Sequence, residues 1–363
     1  MKVRIKYNRF LANGACVLAL LSLIITSTGC KKWYGIPEDK DFLSDKADLK
    51  TKNYTPVLGR TTIISGNLDA DGSTTPLSYE IINVRNSDGT PTDSLTTTRP
   101  TYVWIDDYDG TEQSIEEIEK KRKLENRPAF EVRRSGEFYL WASATNSVLQ
   151  NYQGAIAPAL SAGYLFDVKI SNSGGSRVLK DFTLRPLRER PYEPSERDPL
   201  TGIQTAPITP SITNIIGATS RKPLSNNYSG ADTIKRDVRI LFRKTGNGNS
   251  LTFKFLDKTF KTIDPHLFKL TDWANLVHGF NWHFVGTEAV KYDVAYPIPL
   301  TNRPTAYTTS NGAQASVRFG YDRLGFNGIK QDAYIVFAFN IYEKGDWEIA
   351  VQFRRENPRF ENE

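Results

Sequence analysis

From Pro56 onward, hydrophobic and polar residues alternate in short runs that turn-forming residues interrupt. The runs are rich in Thr, Ile, Val and Tyr, and several end at pairs such as Asp71-Gly72 and Asp88-Gly89. Alternation with a period of two predicts strands with one buried face. The predicted strands are 61–65, 77–85, 102–105, 137–144, 163–170, 178–184, 236–242, 251–256, 280–284, 291–295, 315–321, 333–342 and 347–354. This pattern predicts a mostly β chain with two β-sandwich, immunoglobulin-like domains and short helical insertions.

Two segments depart from this alternation and predict helices. The first runs from Thr111 to Asn126, is dominated by charged residues, and has either Ser114 or Thr111 as its N-cap. The second runs from Asp264 to Leu276 and places a proline in its first turn, where the missing N–H costs nothing. Both helices are expected as insertions between strands.

A proline-rich segment separates the two strand-rich halves. Seven prolines lie within residues 185–227, and this density prevents the segment from pairing as a central strand. We predict a boundary near residue 205, with an N-terminal domain at 56–190, a linker at 191–207 and a C-terminal domain at 208–360. The alternative is a long loop within one large domain.

The first 33 residues follow a different pattern, which is typical of a lipoprotein signal peptide. A basic head precedes an apolar run at residues 11–25, and small residues precede Cys30. We predict a signal peptide at 1–29, lipidation of Cys30 with acyl chains of the palmitate kind, and a tether at 30–55. A transmembrane helix is the weaker interpretation, because Asn13 and Gly14 interrupt an apolar run that is already shorter than about 20 residues.

Cysteine content and charge narrow the possible functions. The only cysteines are Cys16, within the predicted signal, and Cys30, so the mature domains have no thiol for a disulfide, a metal site or a nucleophile. Four of the 47 basic residues lie in the signal, which leaves 43 against 41 acidic residues. This near-balance argues against a nucleic-acid-binding protein.

Motifs for metal or catalytic chemistry are incomplete. Asn67, Asp69 and Asp71 match half of a calcium loop, and the segment 107–116 matches another half, as Asp/Gly-rich turns do by themselves. Three histidines lie within residues 266–283 without metal-binding spacing, and no G-x-S-x-G motif is present. We therefore predict no metal, no cofactor and no catalytic residue.

Tryptophans supply the candidate ligand-binding residues. Trp273, Trp282 and His283 lie among Asp and Asn residues, and Trp141 alternates with apolar residues of a predicted strand, on its outer face. An exposed ring on a sandwich can stack on a sugar while polar neighbours bind hydroxyl groups. The alternative is that these rings build the two cores.

Several segments together resemble a known family. They are the Gly29-Cys30 site, 31–37, 56–63, 135–141 and 353–360. They resemble uncharacterised Bacteroidota outer-membrane lipoproteins that accompany starch-utilisation-type importers and their glycan-binding partners. The resemblance implies a lipid anchor in the outer membrane, with the cell-surface face favoured over the periplasmic face. It assigns no catalytic residue.

These observations lead to one functional hypothesis and two alternatives. We expect a non-catalytic accessory lipoprotein that binds a glycan or an importer component. The alternatives are a glycan-degrading hydrolase and a structural or adhesive surface protein. Nucleic acid is not expected as a partner.

Overall fold

The computed structural model describes residues 41–65, 67–149, 163–198, 202–226, 236–326 and 328–363. Within them the chain forms several β-sheets and very little helix, so the prediction of a mostly β chain is confirmed. The predicted signal peptide, Cys30 and the first part of the predicted tether lie outside the described residues. No helix among the described residues is long and apolar enough to cross a membrane.

The N-terminal half is a sandwich of a four-stranded and a three-stranded sheet. The sheet β2-β11-β10-β5 faces the sheet β3-β9-β8. Phe166 of the first sheet contacts Phe130 and Phe138 of the second, at ring-centroid distances of 5.3 and 6.0 Å. The elements are β1 (Asp48–Leu49), β2 (Asn53–Tyr54), β3 (Thr62–Ile64), β4 (Leu68–Asp69), β5 (Ser78–Asn86), β6 (Thr98–Trp104), α1 (Ile115–Lys120), β7 (Arg122–Pro128), β8 (Phe130–Val132), β9 (Phe138–Leu140), a 3₁₀ helix (Asn146–Val148), β10 (Tyr164–Asn172) and β11 (Gly175–Leu184).

The C-terminal half is a second sandwich with its own hydrophobic cluster. One sheet has the order β14-β21-β15-β18-β17, and in the other β12, β13 and β19 pair with β20. Phe319 of the second sheet contacts Phe253 and Phe255 of the first, at 5.4 and 5.0 Å. The elements are β12 (Tyr192–Glu193), β13 (Ser211–Thr213), β14 (Val238–Gly246), β15 (Ser250–Leu256), β16 (Thr262–Ile263), a 3₁₀ helix (Pro265–Leu267), β17 (Gly279–Val285), β18 (Ala289–Val294), β19 (Ala315–Leu324), β20 (Lys330–Ile341) and β21 (Asp346–Phe353).

The helix predicted from Thr111 to Asn126 is much shorter in the structure. It covers only Ile115–Lys120, and Ser114 is the N-cap, with its hydroxyl accepting the N–H of Glu117. The following residues form β7, which pairs with β6 along its whole length. The prediction failed because a long charged segment with few apolar residues gains more from pairing with a neighbouring strand than from continuing as a solvated helix.

The helix predicted from Asp264 to Leu276 is also wrong beyond its first turn. Asp264 caps a 3₁₀ helix of three residues, Pro265–Leu267. The residues that follow form turns, and they bury Phe268, Trp273 and Leu276 in the core of the C-terminal half. The Asp264-Pro265 start therefore indicated the first turn but not the backbone conformation of the residues that follow.

The predicted tether and linker both contribute strands. Residues 48–49 and 53–54 of the tether form β1 and β2 of the N-terminal half. Within the predicted linker, Tyr192–Glu193 forms β12 at the edge of β20, which is where a proline-rich segment can pair. The boundary near residue 205 stays a prediction.

The two halves contact each other through a small set of residues. Arg122 donates a hydrogen bond to the carbonyl of Tyr296 at 2.7 Å, and the hydroxyl of Tyr108 hydrogen-bonds to Nδ1 of His278. Tyr108 and Ile118 pack against Ala295 and Leu300. We call this region the junction.

Candidate functional site

The strand β17 carries the most accessible of the candidate tryptophans. It lies at the edge of its sheet and pairs with β18, with a shift of register between Phe280 and His283. Asn281 occupies this bulge with φ +52°, a left-handed conformation that asparagine adopts more easily than most residues. The bulge interrupts the alternation of buried and exposed positions. As a result, Trp282 is 38 % exposed.

Trp282 belongs to a row of aromatic rings that leads from the surface to the core. Its ring meets Phe284 edge-on at 5.9 Å, and Phe284 meets Trp273 at 5.8 Å. His266 stacks on Phe284 at 3.9 Å and is fixed by Asp264, whose carboxylate bonds to its backbone N–H and to Nδ1. The contact with Phe284 therefore supports the buried edge of the Trp282 ring. An exposed ring that is fixed in this way can stack on a ligand at little cost in conformational entropy.

Polar residues precede and follow Trp282 in the sequence of β17. The side-chain amide of Asn281 donates to Asp293 at 2.9 Å. His283 is exposed, and its Nδ1 donates to the carbonyl of Asn281 at 2.9 Å. In the neutral ring this leaves Nε2 as a hydrogen-bond acceptor. We define the Trp282 surface as His266, Asn281, Trp282, His283 and Phe284.

The other two candidate tryptophans are core residues. Trp273 is 8 % exposed and Trp141 is 5 % exposed, so of the three candidate rings only Trp282 has an exposed face. The outer-face position predicted for Trp141 is wrong, because β9 ends at Leu140 and the alternation does not extend past it. The backbone N–H of Trp141 donates to the carbonyl of Ala129 at 3.0 Å. Ligand binding by Trp282 and His283 stays a prediction.

The histidines and acidic turns do not converge on one site. His266 lies on Phe284, His278 lies at the junction, and His283 is exposed on β17. Asn67 is buried and bonds to the backbone of Thr51. Across the described ranges, no group of three or more His, Cys, Asp or Glu side chains could hold a metal ion.

A cavity lies between the two halves. A cavity of about 350 Å³ is lined by residues from both, among them Asn146, Glu189, Arg190, Tyr342 and Glu343. The guanidinium of Arg190 lies 3.1 Å from Glu193, and burial raises the pKa of the Tyr342 hydroxyl. The cavity could hold a small polar ligand. Sequence reasoning missed it because its walls come from segments that are distant in the chain.

Comparison with known families identifies one match. The family described as a domain of unknown function, DUF5007, matches residues 68–362. The chain belongs to this family. The match includes β4 to β21, and therefore both the Trp282 surface and most of the cavity lining. Comparisons with curated proteins and with solved structures found no match. The family description carries no activity, so the functional argument rests on the geometry.

Proposed function

We propose that this DUF5007 protein is a non-catalytic lipoprotein of the outer membrane that binds a glycan through the Trp282 surface. The observation that carries the proposal is the 38 % exposure of Trp282 on an edge strand, where Asn281 and His283 are its neighbours in the sequence. A flat indole ring packs well on the apolar face of a sugar, and adjacent donors and acceptors bind its hydroxyl groups. An edge strand leaves room for an extended chain of sugars along its side.

The position of the first described residue, Asp41, supports a lipid anchor at Cys30. Asp41 is already attached to the N-terminal half, where its backbone N–H donates to Ser173 and its carboxylate accepts from the same hydroxyl. Only residues 31–40 separate Cys30 from this attachment. Fully extended, they span about 35 Å. The anchor would therefore keep the N-terminal half within reach of the membrane surface.

The membrane face and the protein partner rest on the resemblance described above. Lipoproteins of this kind accompany starch-utilisation-type importers, and this supports the cell-surface face and an importer component as a partner. A glycan-binding accessory protein would raise the local concentration of substrate for such an importer.

One observation favours the alternative of a glycan-degrading enzyme. Glu189 and Glu343 line the same cavity, and paired carboxylates perform glycoside hydrolysis in many enzymes. Both carboxylates already have partners within the protein, however. Glu189 accepts the N–H of Asn146, and Glu343 lies 2.7 Å from the ammonium of Lys244. We therefore favour binding over hydrolysis, and reducing-end release from a bound glycan would reverse this preference.

The test is a glycan array followed by calorimetry on the best ligand, with protein spanning residues 31–363. We expect Trp282→Ala to weaken binding roughly tenfold or more, because the ring loses its contact area with the sugar. The control is Tyr102→Ala, which removes another exposed ring from the N-terminal half. Binding to no glycan on the array, or equal losses in both variants, would contradict the proposal.

A further inference from the structure

The C-terminal half has one end near the junction and one end far from it. Tyr192 pairs with Ile341 at the end of β20 and contacts Trp347 at the start of β21, at 5.7 Å. The two sheets therefore share this end. It belongs to the junction side, because Glu193 binds Arg60 of the N-terminal half at 3.1 Å.

Two hairpins lie at the far end. The strands β15 and β19 both start near Tyr192, since Leu251 pairs with Trp347 and Ala315 pairs with Phe339 close to Ile341. Both strands run away from the junction. The segments that follow them, residues 257–261 and the described residues 324–326 and 328–329, are therefore at the opposite end of the sandwich. We call these two turns the distal tips.

The longer distal tip exposes three large apolar side chains within six residues. Phe326 is 72 % exposed and Ile329 is 62 % exposed, and Leu324 is exposed beside them. The turn is held by hydrogen bonds from Gly325 to the carbonyl of Ile329 at 2.9 Å and from Gly328 to the carbonyl of Gly325 at 3.0 Å. Three exposed large apolar side chains so close in the chain are typical of an interaction site.

The shorter distal tip exposes the ring of Phe260, and the backbone of this residue has an unfavourable conformation. Phe260 is 58 % exposed and has φ +65°, a region that suits glycine and disfavours bulky side chains. The carboxylate of Asp257 fixes the turn by accepting the N–H groups of Thr259 and Lys261, at 2.7 and 2.9 Å. Glycine would fit this position without strain, so the ring is retained against the local preference. Such outliers occur at functional sites.

The Phe260 tip also carries an excess of positive charge. Lys258 and Lys261 are exposed on either side of the ring, and the guanidinium of Arg239 lies 5.9 Å from its centroid. The carboxylates that act on these lysines are Asp257 and Glu356, and Arg354 and Glu196 act on Arg239. Four cations against three anions leave a small positive excess, which favours an anionic partner surface.

We propose that the distal tips dock on an anionic lipid surface, with Phe260, Phe326 and Ile329 in the interfacial layer and the lysines on lipid phosphates. Two apolar tips that project separately from the sandwich would each need its own pocket in a protein partner. A bilayer interface accepts both without a matching shape, and aromatic rings and lysines both favour that layer. This contact would be separate from the predicted lipid at Cys30 and from glycan binding at Trp282.

The test uses protein spanning residues 31–363, which keeps every described element and carries no lipid. Sedimentation is measured with vesicles of phosphatidylcholine alone and of phosphatidylcholine mixed with phosphatidylglycerol. We expect binding to the mixed vesicles only, weakened roughly tenfold or more by Phe326→Asp. The pair Lys258→Glu and Lys261→Glu should weaken binding by a similar factor, since each lysine accounts for roughly fivefold.

Two variants separate docking from a loss of folding. Phe260→Gly should weaken vesicle binding without lowering the thermal unfolding temperature, because glycine fits the left-handed position. Leu124→Asp is the matched control, since Leu124 is also 58 % exposed but lies on β7 of the N-terminal half, and it should bind as the unchanged protein does. Equal binding to both vesicle types, binding to neither, or equal losses in Phe326→Asp and Leu124→Asp would overturn the proposal. Unchanged vesicle binding in Trp282→Ala would keep this inference separate from glycan binding.

Discussion

Replacing Trp273 and Trp282 one at a time by alanine should separate a core ring from a surface ring on the same row. Trp273 is 8 % exposed and contacts the rings of Phe255, Phe319 and Phe284 at 6.4, 5.7 and 5.8 Å. Truncating a buried tryptophan leaves a cavity and costs about 3–5 kcal/mol of unfolding free energy. We expect Trp273→Ala to lose an amount in this range.

Trp282→Ala should cost much less. Its ring is 38 % exposed and has one aromatic contact, with Phe284 at 5.9 Å. Losing an aromatic pair costs about 0.5–1.5 kcal/mol beyond the area term. We therefore expect a loss of about 1–2 kcal/mol in unfolding free energy, and a loss of ligand affinity that Trp273→Phe does not show.

The measurement is urea unfolding of both variants and of Trp273→Phe, followed by circular dichroism and by intrinsic fluorescence. Trp273→Phe is the control, because it keeps a ring in the cavity and should recover part of the stability. Two probes are needed because each half has its own core, and the transitions of the two halves need not coincide. A loss below about 1 kcal/mol for Trp273→Ala would refute the assigned packing. If Trp282→Ala lowered the unfolding free energy by about 3–5 kcal/mol, as expected for Trp273→Ala, Trp282 would be a structural core residue.

Four further predictions follow from the sequence and the structure. Cys30→Ala should abolish incorporation of a fatty-acid probe and release the protein from the membrane, and unchanged labelling would contradict lipidation. Trypsin should cut within 190–221, and the two fragments should stay associated through the junction until denaturant is added; a chain that resists cleavage there would contradict a boundary near residue 205. Burial raises the pKa of Asp167, but hydrogen bonds from Asn83, Arg85 and the Asp181 N–H outweigh it and leave the pKa lowered. Its contribution to stability is therefore complete above about pH 4 and is lost as the pH falls through the lower folded-state pKa, and Asp167→Asn should flatten the acid limb of unfolding free energy against pH. Tyr108→Phe should lower stability by about 1–3 kcal/mol, because Nδ1 of His278 loses its partner, and calorimetric unfolding checks this.

The strands were largely predictable from local pattern. Segments such as 251–256 and 315–321 alternate clearly, and the structure has β15 at Ser250–Leu256 and β19 at Ala315–Leu324. The charged segment from Thr111 to Asn126 was not predictable in the same way. Ser114, one of the two N-caps that the sequence left open, is the N-cap in the structure, but the register of β7 against β6 depends on a partner strand that helix propensity does not include.

The candidate site was predictable only in part. The sequence indicated the segment that holds Trp273, Trp282 and His283, because aromatic and polar residues gather there. The sequence could not show which of the two tryptophans is exposed and which is buried. Trp273 follows a 3₁₀ turn that directs it into the core, whereas Trp282 lies in a bulge of an edge strand. No local sequence pattern indicated the cavity between the halves, because its lining residues are distant in the chain.

By itself, the sequence determined the β character of the chain and the absence of thiols after Cys30, and it predicted a lipoprotein signal peptide that stays a prediction. These properties depend on residue type and on spacing over a few positions. The tertiary structure alone decided which rings are exposed, that β17 is an edge strand, and that the Phe260 and Phe326 turns lie at the same end. Exposure depends on what covers a side chain, and the covering residues come from strands far away in sequence. A period of two specifies two faces of a strand but not what covers each of them.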